Sequence, residues 1–60
     1  MLLEELRKKR IDCGYTQEEL ASIVGISRST LSLLETGKRK PSYDIMTKLA
    51  GALNEAIEIR

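Results

Sequence analysis

Apolar and polar residues recur along this chain with the period of short helices, interrupted at Gly14, Gly25 and Gly37. On a wheel turning about 100° per residue, residues 2–13 gather Leu2, Leu3, Leu6 and Cys13 into one arc and leave Lys8, Ile11 and Asp12 outside it. This predicts an amphipathic helix, closed by Gly14 in the left-handed conformation. Thr16-Gln17-Glu18-Glu19 then has capping-box spacing, in which the Thr16 hydroxyl accepts from the Glu19 amide while the Glu19 carboxylate reaches back. A second helix starts at Gln17 and turns Leu20, Ala21, Ile23 and Val24 inward; Gly25 keeps it short.

Ser27 caps a third short helix over 28–36, which Gly37 ends. Lys38-Arg39-Lys40-Pro41 is a basic loop, and Ser42 caps a fourth helix whose stripe is Ile45, Met46, Leu49, Ala50 and Leu53. Asn54 offers that helix a left-handed stop. In the tail 55–60, Ile57 and Ile59 alternate like a strand while Leu53 and Ile57 keep helical spacing. A short strand, a continued helix and a frayed end are all open there. The expected fold is all-α, a compact four-helix unit with a short C-terminal strand as an option.

Composition adds exclusions. Sixty residues allow one domain, 1–60, with a core supplying roughly 3–5 kcal/mol. At 42% hydrophobic and 32% charged, the chain lies away from the disordered corner. With no histidine and one cysteine, it can build no Ser-His-Asp triad, His or Cys zinc cage, or internal disulfide. No metal, cofactor or small-molecule ligand is expected, and no enzymatic activity. Cys13 reads as a small core residue rather than a reactive thiol. A lone thiol fits a reducing cytoplasm, and no leader or long apolar run points to export or a membrane. Net charge is only +1, so distribution matters more: residues 1–43 carry eight Lys/Arg against six Asp/Glu, and residues 44–60 two against three.

Helices shorter than about 12–15 residues are marginal alone, so the second and third, joined at Gly25-Ile26-Ser27, need support from the first and fourth. Such a compact pair over about 17–36 lets its second member protrude into a major groove about 12 Å wide while its first spans the backbone. The pattern Thr16-Gln17-x-x-Leu20-Ala21-x-x-Val24-Gly25-Ile26-Ser27-x-x-Thr30-Leu31-x-x-Leu34-Glu35-x-Gly37-x-x-x-Pro41 resembles the Cro/C1-type, XRE-like helix-turn-helix DNA-binding domain of phage and bacterial repressors. The likeness runs from Leu6 to Leu53.

The third helix turns Leu31 and Leu34 inward and leaves Arg28, Ser29, Ser32, Leu33 and Thr36 outward. Arg28, with a planar fork suited to guanine O6 and N7, and Ser29, Ser32 and Leu33 are the candidate base contacts. Leu33 has two readings, a lone exposed leucine or a residue whose counterpart in the family often touches a thymine methyl. The resemblance implies phosphate contacts from Gln17 and from Lys38, Arg39 and Lys40, with Ser27 and Thr36 grouped beside them. Otherwise Gln17 is a solvated polar residue and the basic run a solvated face. Lys8 and Lys9 read as solvated, within reach of Glu4 and Glu5.

Arg10 falls inside the first helix's apolar arc and needs an acceptor. Glu35 is the natural one, and an Arg–Glu pair at these positions recurs in the family.

The resemblance implies a double-stranded DNA partner. One half-site seldom gives enough affinity, so a homodimer on two-fold related half-sites is expected, with Ile57 and Ile59 of the tail as its contact and Ile11 as a second candidate. No sensing module is expected. The competing reading is an antitoxin-type regulator that neutralises a partner protein and represses its own operon. A purely structural unit leaves the polar outer face beside the basic loop unexplained.

Overall fold

The computed structural model describes residues 5–53. Expectations on Leu2, Leu3, Asn54 and the tail with Ile57 and Ile59 lie outside the described residues. Within them run four helices and no strand: α1 (Leu6–Asp12), α2 (Gln17–Val24), α3 (Arg28–Glu35) and α4 (Tyr43–Ala52).

The caps anticipated from sequence form the helix starts. The Thr16 side chain accepts from the Glu19 amide at 3.0 Å while the Thr16 amide donates to Glu19 Oε1 at 2.9 Å, completing the capping box. Ser27 Oγ accepts from the Thr30 amide at 3.0 Å, and Ser42 Oγ from the Ile45 amide at 3.2 Å. α2 ends at Gly25, whose φ of +83° allows both its own amide and that of Ile26 to bond back to the Ala21 carbonyl, at 2.8 and 2.9 Å. That double return bond turns the chain sharply and sets the angle at which α3 leaves.

Each helix contributes to one core: Leu6 from α1, Leu20 from α2, Leu31 and Leu34 from α3 and Leu49 from α4 are all fully buried. Ala21, Val24, Ala50 and Leu53 fill in around them, with Ile26 and Ile45 packed at the edge. α2 lies against both α3 and α4. The two short helices therefore gain their stability from shared apolar burial, not from length.

Two expectations are corrected. Cys13 is exposed, not a core residue. Cys13 is the C-cap of α1: its amide still bonds back to the Lys9 carbonyl at 3.0 Å, but at this open end of the helix its thiol reaches the Leu53 carbonyl at 3.6 Å instead of packing into the core. Ile23, expected inward, is 56% exposed: Leu20, Ala21 and Val24 already fill the buried stripe of so short a helix. Ile11 is exposed, as its place off the arc implies. Among the described residues, no helix is long and apolar enough to cross a membrane.

Candidate nucleic-acid interface

The outer face of α3 follows from its inner one. With Leu31 and Leu34 buried, the helical repeat turns Arg28, Ser29 and Leu33 outward, where all three are exposed, and leaves Ser32 half-buried. These four side chains line one open depression, and Gln17, from the start of α2, lines it with them. The first turns of the two helices thus share a surface, polar and cationic at Arg28 and apolar at Leu33.

The basic loop is fastened to the far end of the same helix. The Leu33 carbonyl accepts from the Lys38 amide at 3.0 Å, from the Arg39 amide at 3.2 Å and from the Thr36 hydroxyl at 3.2 Å. Lys38, Arg39 and Lys40 are exposed, and neither they nor Arg28 has an ion-pair partner among the described residues. Arg39 and Lys40 also border a second depression together with Ser27 and Thr30. Four unpaired cations on adjoining surfaces favour a polyanion.

Two grouped hydroxyls are engaged elsewhere. Ser27 Oγ donates to Thr30 Oγ1 at 2.8 Å, and the Thr36 hydroxyl donates to the Ser32 and Leu33 carbonyls at 3.0 and 3.2 Å. Each must rotate away from its local acceptor before it can donate to a phosphate.

Behind the outer face of α3 lies the anticipated pair. Arg10 Nε donates to Glu35 Oε2 at 2.6 Å and Nη2 to Oε1 at 3.3 Å, while Nη1 donates to the Tyr15 carbonyl at 2.9 Å. The side chains are 10% and 2% exposed, so the pair is shielded from water and bidentate. Gln17 Nε2 donates to Glu35 Oε1 at 3.0 Å. A glutamine read as solvated or phosphate-binding thus also has an internal partner.

Sequence reasoning passed over Arg7. This exposed residue of α1 lines a third depression with Gln17, Glu18 and Arg28, so α1 reaches the edge of the interface. The available signal was helical spacing: Arg7 lies one turn before Arg10, on the same face.

A helix-turn-helix family model matches residues 6–59. The chain is 45% identical over 53 residues to an HTH-type transcriptional regulator of Archaeoglobus fulgidus, covering 88% of this chain and 76% of that one. A Bacillus subtilis regulator of the same type is 38% identical over 53 residues, with 88% and 70% covered. A third, from Methanothermobacter thermautotrophicus, is 44% identical over 48 residues, with 80% and 70% covered.

Proposed function

The chain belongs to the helix-turn-helix family of transcriptional regulators, and on that premise we propose that it is a repressor that reads the major groove with α3 as a homodimer. DNA binding and transcription regulation come with the family. The reading of α3 as the inserted element is supported above all by one observation: Arg28, Ser29, Ser32 and Leu33 line a single open surface beside exposed basic residues that have no ion-pair partner among the described residues.

In this reading Arg28 sets preference at one base position through a bidentate contact, worth about 1–3 kcal/mol of discrimination. Ser29 and Ser32 donate or accept without choosing a single base, and Leu33 meets a thymine methyl. Lys38, Arg39 and Lys40 grip phosphates together with Gln17, joined by Ser27 and Thr36 when their hydroxyls turn outward. These contacts hold the register without specifying sequence. Two copies bind half-sites roughly 34 Å apart on one face of the duplex, with the tail 55–60, through Ile57 and Ile59, as the proposed dimer contact.

Selection of bound sequences from a random duplex pool at two salt concentrations tests this. A two-fold symmetric site is expected. Arg28→Ala should relax preference at one position, whereas Lys38→Ala should weaken all sequences alike and reduce the salt slope by about 1. No enrichment, or identical behaviour of the two variants, ends the proposal. The alternative, an antitoxin-type regulator with a protein partner, draws on Ile11 and Ile23, apolar side chains 52% and 56% exposed outside the reading face. Light scattering tests the homodimer: a dimer of the purified chain supports it, and a monomer both on and off DNA removes it.

A further inference from the structure

We infer that Glu35 is a positioning residue for DNA binding, acting through Gln17 and resting on the DNA-binding reading above. Glu35 never faces the duplex, since its side chain is 2% exposed, but it receives three hydrogen bonds: two from Arg10 and one, at 3.0 Å, from Gln17 Nε2.

Chemistry fixes the sense of the Gln17 contact. A carboxylate only accepts, so the amide nitrogen of Gln17, not its oxygen, must face Glu35. That nitrogen carries two hydrogens; one is committed to Glu35 and the other remains for a phosphate oxygen. A glutamine on an open surface samples many rotamers and both amide orientations, of which only some present a donor. The anchor removes that freedom before DNA arrives, so less is lost on binding. Arg10 completes the device, because its bidentate pairing offsets the carboxylate charge that would otherwise repel a nearby phosphate. The ion pair behind α3 thus does more than join α1 to α3: it sets the attitude of a side chain that lines the reading surface with Arg28.

A double-mutant cycle tests the coupling. Arg10→Met with Glu35→Met replaces the buried pair by apolar side chains of similar length, a change cores often accept, and deletes the anchor. Affinity for a fluorescein-labelled duplex carrying the selected site is read by anisotropy in the parent, Gln17→Ala, the Met/Met variant and the triple variant, after circular dichroism establishes that each is folded. In the parent, Gln17→Ala should weaken binding about fivefold; in the Met/Met background it should cost less than about twofold. If the Met/Met chain does not fold, Glu35→Gln serves as the background, and its weaker acceptor should lower the cost of Gln17→Ala part of the way. An equal cost in parent and background overturns the positioning role while leaving DNA binding intact. A parent that binds no duplex overturns the DNA reading and this inference with it.

Discussion

α2 and α3 are both eight residues long, both capped by a hydroxyl and both packed on the same core, yet their charges run in opposite senses. α2 carries Glu18 and Glu19 in its first turn, where the positive end of the helix dipole favours anions. α3 has no acidic residue there; it begins with Arg28 and ends with Glu35, both unfavourable to its own dipole. The difference separates what each helix serves. α2 obeys the local rules, with both acidic residues where its dipole favours them. α3 departs from them: Arg28 lies exposed at its start with no help from the dipole, and Glu35 at its end is stabilised by donors from α1 and α2.

The largest effect should come from removing those donors' acceptor. Glu35→Ala leaves the Arg10 guanidinium without its carboxylate and should cost about 3–5 kcal/mol, as much as the whole fold supplies, so circular dichroism without denaturant should show a largely unfolded chain. Thr16→Ala, which removes the capping box of α2, should cost only about 1 kcal/mol; equal losses would erase the contrast. Gly25→Ala comes next. A Cβ there meets nothing within 4 Å, so its cost is conformational, about 1–2 kcal/mol for a left-handed residue, and the urea midpoint should fall accordingly.

A smaller change in stability carries the sharpest test. Arg28→Glu should raise α3's stability by about 0.3–1 kcal/mol in thermal unfolding while abolishing duplex binding. A variant that loses both would show that Arg28 has a structural part the dipole argument omits. The smallest effect is one of pH. The Thr16 amide, and after it the Thr16 hydroxyl, hold the Glu19 carboxyl below its ordinary value of 4.5. A carboxyl depressed on folding stabilises fully above its unfolded value and loses that contribution as pH falls through the lower folded one. The stability difference between parent and Glu19→Gln should therefore be constant near neutrality and shrink below 4.5, as acid unfolding curves would record.

What was legible in the sequence was what local chemistry controls. Hydroxyl caps at Thr16, Ser27 and Ser42 and left-handed Gly14, Gly25 and Gly37 fixed the helix limits within a residue where they can be compared. Arg10 was legible because a charge inside an apolar arc demands a partner. Cys13 was misjudged because it caps the end of α1 rather than lying within it, and Ile23, inside α2, because it sits to one side of the arc that Leu20, Ala21 and Val24 bury. The bond from Gln17 to Glu35 could not be read at all, since it joins residues 18 apart through tertiary packing that no periodicity encodes. Arg7 had a signal in its helical spacing to Arg10, but its place beside Gln17 and Arg28 is set by tertiary packing.

The triple bond acceptance at the Leu33 carbonyl has a consequence for anyone wishing to transplant recognition between such domains. Because the oxygen and two of its three donors belong to the main chain, the outward side chains of α3 can be exchanged without loosening the basic loop, provided Thr36 and the spacing to Lys38 and Arg39 are kept. Recognition can thus be rewritten at the surface of the helix while the loop geometry, being a property of the main chain, is inherited unchanged.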